Sequence, residues 1–309
     1  MRPLKIASRG SKLAMIQSNY IRDLLEKLVS SIGISIVKIS TKGDSDKSDF
    51  LYKTDSKGFF TSEVEKAVLD GRADLAVHSF KDLPTAYTEG LKIAAVPKRE
   101  SVADALITSG QADSIATLPA GATVGTSSLR RISQLHRLRD DLKCVPLRGN
   151  VETRVSKVTQ GKVNAAIVAC AGLNRLGLAD KISAILPPEE FLPAPAQGAL
   201  AVQIRTDDSE LAELVSQLDD KHSRITAETE RNILTAMHGG CSIPLGAYCQ
   251  ISGETITIDA MISDVEGKQY IKRSRAGRID EAKTCAEELA QEMLDAGGRE
   301  ILEKIRNFK

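Results

Sequence analysis

Three short stretches combine residue types that could do chemistry together: GTSSLRR at 125–131, HSFKDLP at 78–84 and HGGCSIPLG at 238–246. In the first, Ser127 or Ser128 is a good helix N-cap, and the free amides of the turn that follows carry partial positive charge. Arg130 and Arg131 fall in that turn and oppose the helix dipole, at about 0.3–1 kcal/mol each. A bound anion is the simpler explanation; otherwise both arginines point into solvent or pair with Asp140 or Asp141. Arginine suits carboxylates because its planar fork binds them with two parallel hydrogen bonds. In the second stretch Asp82 stands among cations just before Pro84. It could merely pair with Lys81 or cap a turn, but a carboxylate kept ionised by positive neighbours can stabilise a cationic intermediate and exchange protons with a nearby nitrogen. In the third, Cys241 follows Gly239 and Gly240, whose backbone freedom leaves a thiol accessible for covalent attachment. An incidental cysteine in a C-cap turn and a His238/Cys241 metal pair are the alternatives. The remaining histidines, His78, His136 and His222, supply no clustered ligands, so no metal is expected.

These stretches sit where predicted elements meet. Strands are expected at Leu4–Ala7, Ile34–Ser40, Asp74–Val77, Leu91–Val96, Thr123–Gly125, Lys143–Pro146, Ala165–Ala169 and Ala199–Arg205. Helices are expected between them, the first with an apolar stripe of Leu13, Ile16, Tyr20, Leu24 and Leu28, others at Thr61–Leu69, Ser128–Arg139 and Val151–Thr159. Alternation of this kind marks α/β units with a largely parallel sheet. Ligands of such sheets bind beyond the carboxyl ends of the strands, and nearly every junction there offers a cation or hydroxyl. Arg9 and Ser11 follow the first strand, Lys81 and Asp82 the third, and Thr126, Ser127, Ser128, Arg130 and Arg131 the fifth. Arg148 precedes the Val151 helix, Arg154 lies in it, and Arg175 follows the Ala165 strand. Residues Lys42–Ser56 are polar and aperiodic, which suggests a mobile lid. Beyond His222 the pattern becomes helix Ser223–Met237, strands Leu245–Ile251, Thr255–Ile262 and Gln269–Arg275, and helix Asp280–Ala296.

With 309 residues the chain exceeds what one core usually supports. Three domains are expected: 1–98 with 199–216, joined through the proline-containing crossover LPAPAQGALAVQIR; 103–192; and an α+β domain at 221–309. The formal net charge of +1 gives no long-range attraction for nucleic acid. The start MRPLKIASRG lacks the apolar core of a secretory signal, and no apolar run is long enough to span a bilayer, so a cytoplasmic, non-membrane protein is expected. Five cysteines without CxxC spacing argue against disulfides; Cys144, Cys170, Cys249 and Cys285 read as small buried hydrophobes.

In order along the chain, IASRGSKLA, STKGD, AVHSFKDLP, VGTSSLRR, LRGNVETR, AGLNRLG, LPAPAQGAL and GGCSIPLG resemble the porphobilinogen deaminase (hydroxymethylbilane synthase) family. The resemblance implies three domains, the first two like the lobes of periplasmic binding proteins with mixed, largely parallel sheets. It implies a monomeric enzyme that condenses four porphobilinogen molecules into hydroxymethylbilane, with loss of four ammonias, on a dipyrromethane primer. Cys241 matches the cysteine that carries the primer and Asp82 the catalytic aspartate, poised for deamination through an azafulvenium ion. Lys81, Thr126, Ser127, Ser128, Arg130 and Arg131 would hold the cofactor; Arg9, Ser11, Arg148, Arg154, Arg175 and Gln197 the substrate; Lys53 and Lys57 would lie on the lid. Three departures stand out: PAPAQG where many members have PAVGQG, a lid reading YKTDSKGFF rather than a glycine-richer version, and His238 before the glycine pair, to which no role is assigned. A non-catalytic anion-binding protein on the same scaffold would explain the strand-end arginines, but would require neither Asp82 among them nor Cys241.

Overall fold

A computed structural model describes residues 2–41, 61–110, 112–237 and 243–308. The expected lid with Lys53 and Lys57, and the loop bearing Cys241, lie outside the described residues. In chain order the elements begin β1 (Leu4–Arg9), α1 (Lys12–Leu28), β2 (Ile34–Ile39), α2 (Ser62–Leu69), β3 (Leu75–Ser79) and β4 (Leu91–Ala95). There follow β5 (Asp104–Thr108), β6 (Thr123–Gly125), α3 (Leu129–Leu138), β7 (Lys143–Val145), α4 (Val151–Thr159), β8 (Ala165–Ala169), α5 (Cys170–Arg175) and β9 (Ala184–Leu186). The remainder comprises β10 (Leu200–Arg205), α6 (Ser209–Ser216), α7 (Lys221–Ala236), β11 (Leu245–Ser252), β12 (Thr255–Ser263), β13 (Tyr270–Arg278), α8 (Ala282–Met293) and α9 (Arg299–Phe308).

The chain divides into two compact units. In the first, which includes Gly198–Arg224, the sheet order is β2-β1-β3-β10-β4. Strands β1, β2 and β3 pair in parallel, while β10 runs antiparallel to both its neighbours, so four of the five strands point one way. The period-2 alternation of side chains divides these strands between two cores. Leu4, Ile6, Leu75, Val77, Leu200, Val202 and Ile204 pack with α1 and α6 on one face, and Ala7 and Ala76 with α2 on the other. Helix α1 corrects the expected stripe. Gln17, Ser18, Ile21 and Leu25 are its buried residues, whereas Tyr20 and Leu28 are more than 40% exposed. The physical reason is that buried Ser8, Ser18 and Gln17 make this face partly polar, so apolar spacing misplaced it by one residue.

The second unit includes Ser101–Gln197 and Ile225–Lys309. Its five-stranded sheet, β7-β6-β8-β5-β9, repeats the arrangement of the first, with β5 as the single opposed strand. Strands β5 and β9 went unrecognised in the sequence; Asp104 interrupts the apolar run of one and the other is only three residues long. An antiparallel sheet, β11-β12-β13, carries α8, and its core of Ile256, Ile258, Leu289 and Met293 takes in Ile301 of α9. The expected helix to Ala296 is broken where Gly297 turns to a φ of 108°, after which α9 continues the chain. The sequence reading missed that last helix. Cys170, Cys249 and Cys285 are buried as expected, and Cys144 half-buried.

The crossover at residue 196 contains a local strain. Ala196 has a φ of 59° and is fully buried, the one non-glycine residue with positive φ among the described residues. It occupies the fourth position of PAPAQG, where the PAVGQG pattern expected from the resemblance would place glycine. A left-handed alanine costs about 1–2 kcal/mol, and glycine would give back roughly 0.5–1 kcal/mol of that in lost unfolded-state entropy. Ala196→Gly is therefore expected to stabilise the protein by about 0.5–1 kcal/mol, and Ala196→Val to destabilise it; thermal or denaturant unfolding of the two variants measures the difference.

Candidate active site

In the first unit β1 and β3 are parallel neighbours, with Ile6 beside Leu75 and Ala7 beside Ala76. Both strands therefore end at the same edge. A small cavity there is lined by Arg9 at the end of β1 and Ser11 beyond it, Thr61 before α2, His78 and Ser79 at the end of β3, and Asp82 in the turn that follows. Ser11 is the N-cap of α1 and accepts from the Ala14 amide at 3.3 Å. Ser79 accepts from Gln17 Nε2 at 3.0 Å. The chain leaves β3 through one helical turn, Phe80–Asp82, with Phe80 fully buried, Lys81 half-buried and Asp82 exposed. The buried phenylalanine anchors the turn and leaves the acid free to meet solvent. Arg9, Ser11 and Asp82, three of the residues singled out in the sequence, are thus brought to one cavity.

In the second unit the GTSSLRR turn is assembled differently from either expectation. Ser128 is the backbone N-cap of α3, but its side chain makes no cap bond. Ser127 instead exchanges hydrogen bonds with the Leu147 backbone, at 3.3 and 3.2 Å, and Thr126 Oγ1 accepts from the Ser128 amide at 3.2 Å. Arg130 and Arg131 face neither solvent nor Asp140 and Asp141. Both are buried against Asp104 of β5, which is fully sealed: Arg130 Nη2 lies 2.8 Å and Arg131 Nη2 2.6 Å from its carboxylate. Arg131 also donates to the Ile167 carbonyl at 2.9 Å, and Arg130 to the Leu192 carbonyl at 2.6 Å. Gln197 completes the cluster, donating to Asp104 at 2.9 Å and to the Val102 carbonyl at 2.8 Å.

Two guanidinium groups share one carboxylate, so the cluster carries a buried positive excess, and Arg130 Nε has no hydrogen-bond partner. Burial pushes the Arg130 guanidinium below its usual pKa, against the pull of Asp104. Burial would raise the Asp104 carboxyl, but Arg130, Arg131 and the bonds from Arg131 and Gln197 prevail and hold it well below the usual range. The free amides at the start of α3 add to the positive potential. Gln197, expected to touch substrate, is fully buried with its amide hydrogens committed to Asp104 and Val102, so it acts behind the arginines as their support.

The other cations keep to separate junctions of the same unit. Asn150 caps α4 by accepting from the Thr153 amide at 2.8 Å, and Gly149, with φ of 105°, makes the approach; a Cβ there would lie 2.7 Å from Thr153 Cγ2. This turn presents Arg148 and Arg154, both half-buried, the latter donating through Nε to the Gly149 carbonyl at 3.0 Å. Arg175 ends α5, half-buried. Burial lifts the Cys144 and Cys170 thiols to about 11, so neither is a ready nucleophile. Asp104, Glu65 and Gln203 were missed in the sequence. Their common signal is a polar residue inside an apolar run: ADALIT, SEVEKAVL and LAVQIR.

Sheets of this topology, with guanidinium groups, hydroxyls and one exposed carboxylate at strand ends, define the class of α/β proteins suited to small anionic ligands. Comparison with known proteins narrows it. Residues 4–213 match the family model described as porphobilinogen deaminase, dipyromethane cofactor binding domain, and residues 224–295 that of the porphobilinogen deaminase C-terminal domain. The porphobilinogen deaminase of Maridesulfovibrio salexigens is 46% identical over 305 residues, covering 99% of both chains. That of Syntrophobacter fumaroxidans is 40% identical over 304 residues, covering 98% of both. The chain belongs to the porphobilinogen deaminase family. Among solved structures, a YaeC-family lipoprotein of Enterococcus faecalis gives a TM-score of 0.43 at 14% identity, over 75% of this chain and 97% of that one. An arginine-specific periplasmic binding protein of Salmonella typhimurium gives 0.39 at 10% identity, over 72% of this chain and 94% of that one.

Proposed function

We propose that this chain is a hydroxymethylbilane synthase of tetrapyrrole biosynthesis, joining four porphobilinogen molecules head to tail with release of four ammonias, and that the residues divide the work as follows. The observation that carries the reading is that an exposed carboxylate, Asp82, lines one cavity with a cation and hydroxyls at a strand edge of the first unit. Asp82 stabilises the cation left when the amine departs and exchanges protons with that amine. Arg9 and Ser11, from the same edge, hold carboxylates of the arriving pyrrole, with Arg148, Arg154 and Arg175 contributing from their own junctions. Dipyrromethane, when bound, supplies the growing end onto which each pyrrole is added. Arg130, Arg131, Thr126, Ser127, Ser128 and Lys81 hold its acetate and propionate groups, and Asp104 and Gln197 hold the arginines. Cys241 is the attachment point, Lys53 and Lys57 close over the site, and the enzyme works as a cytoplasmic monomer. We also read the second unit as two domains, 103–192 and 221–309, because its antiparallel sheet has its own helices.

Protein purified from cells able to make porphobilinogen is expected to exceed its sequence mass by two linked pyrrole units, with the adduct mapped to Cys241 by peptide mass spectrometry. Bare-sequence mass, or an adduct on Cys144, Cys170, Cys249 or Cys285, would overturn the attachment. Among the described residues no helix is long and apolar enough to cross a membrane.

A further inference from the structure

A buried polar chain runs through the first unit without a part in the scheme above. Gln203, fully buried, interrupts the apolar strand β10 on the face that packs against α2. On one side its Nε2 lies 2.9 Å from Oε1 of Glu65, a residue of α2 that is only 4% exposed. On the other its Oε1 lies 3.1 Å from Nε2 of His78, 6% exposed at the end of β3. His78 also lines the cavity that contains Asp82.

The donor and acceptor inventory fixes the direction of this chain. A carboxylate only accepts, so the amide nitrogen of Gln203 faces Glu65 and its oxygen faces His78. An amide oxygen only accepts as well, so the Nε2 of His78 carries the proton and, in the neutral ring, Nδ1 keeps a lone pair. The charged groups around the ring are Glu65 from α2, Asp82 from the turn after β3, and Arg9 from β1. Burial, reinforced by Arg9, pushes the imidazole below its usual pKa against the opposing pull of Glu65, Gln203 and Asp82.

We propose that His78 is a positioning residue of the Asp82 site, held by Gln203 and Glu65 as a neutral, Nε2-protonated imidazole so that it adds no further positive charge to the wall that Asp82 shares with Arg9. The proposal rests on the deaminase reading for its kinetic consequence but not for its structural one. An imidazolium in this wall would offset the charge of Asp82 and weaken its hold on a departing-amine cation. A direct Glu–His contact would produce that imidazolium; the intervening amide keeps the buried carboxylate one hydrogen bond away.

The test exchanges the two groups. Glu65→Gln/Gln203→Glu conserves the side-chain types and moves the carboxylate against His78, where an adjacent carboxylate raises a histidine pKa by about 1–3 units. In the holoenzyme the ring is then protonated over part of the pH range in which the parent's is neutral. The kcat of the exchanged variant is expected to rise with pH along a limb the parent lacks, with KM little changed. A merely structural role would lower the rate equally at all pH values. Nitrogen-15 NMR of the four histidines, with His78 assigned by its loss in His78→Asn, reads the proton directly. The parent is expected to show one neutral, Nε2-protonated ring for His78 at neutral pH and above, and Gln203→Leu a mixture of tautomers. An Nδ1-protonated or charged ring in the parent overturns the proposal, as does an exchanged variant whose pH profile parallels the parent. Should the exchanged variant not fold, the parent and Gln203→Leu spectra decide alone. Absence of hydroxymethylbilane formation would sink the functional reading while leaving the tautomer result to stand or fall separately.

Discussion

Replacing Asp82 by Asn is expected to lower kcat for porphobilinogen consumption about a hundredfold to a thousandfold, the loss typical when one preorganised electrostatic stabiliser is removed, about 2.7–4 kcal/mol. The substitution keeps the shape of the side chain and removes only its charge and its proton-accepting oxygen. Because Asp82 is exposed at the end of its turn while Phe80 anchors that turn in the core, the free energy of unfolding should be unchanged within about 0.5 kcal/mol, as for ordinary surface substitutions. Stopped-time assays of hydroxymethylbilane formation, paired with a thermal melt, separate the two quantities. A variant with near-normal turnover would show that another carboxylate does the work, and one that melts early would show that Asp82 supports the fold.

Arg131→Leu is expected to cost about 3–5 kcal/mol of stability, the range for breaking a buried ion pair from one side. Asp104 is fully sealed and would lose both hydrogen bonds from Arg131, while the Ile167 carbonyl would lose its donor. The pH dependence has a definite sign. The folded pKa of Asp104 lies below the unfolded value of about 3.9, so its contribution is complete above about pH 5 and fades as acid approaches the folded value. The difference between parent and variant should therefore be flat from pH 5 to 8 and shrink below about pH 4. Denaturant titrations across that range measure it. The same variant should be purified without the pyrrole adduct, because the remaining positive charge of the cluster is then cancelled by Asp104. Arg9→Leu leaves this cluster untouched and should keep the adduct while stalling at partly elongated chains.

The sequence was most legible where local chemistry and apolar period agreed. The strand-end position of Arg9, Ser11 and Asp82 followed from short apolar runs giving way to polar turns, and the structure puts all three around one cavity. Legibility failed where a buried polar residue broke the pattern. Asp104 concealed β5, and with it the partner that explains why two arginines tolerate the wrong end of a helix. A bound anion was the preferred explanation of these arginines, with the nearby Asp140 and Asp141 as the alternative, because pairing across a sheet is set by topology that spacing does not reveal. Glu65 and Gln203 were invisible for the same reason: 138 positions separate them, and only strand order brings them to 2.9 Å. In α1, buried Gln17 and Ser18 shifted the true inner face by one residue from the one that hydrophobicity alone selects.

The place of β10 bears on how the chain is made. It lies between β3 and β4 in the interior of the first sheet, yet it is the last of that sheet's strands to leave the ribosome. On the order of a hundred residues are translated between β4 and β10, roughly 5–20 s at 5–20 residues per second. For that interval β3 and β4 each present an unpaired strand edge, the kind of surface on which nascent chains join one another. Ribosome-bound chains halted before Leu200 should therefore be protease-sensitive in their first hundred residues, and halting beyond Arg224 should bring protection.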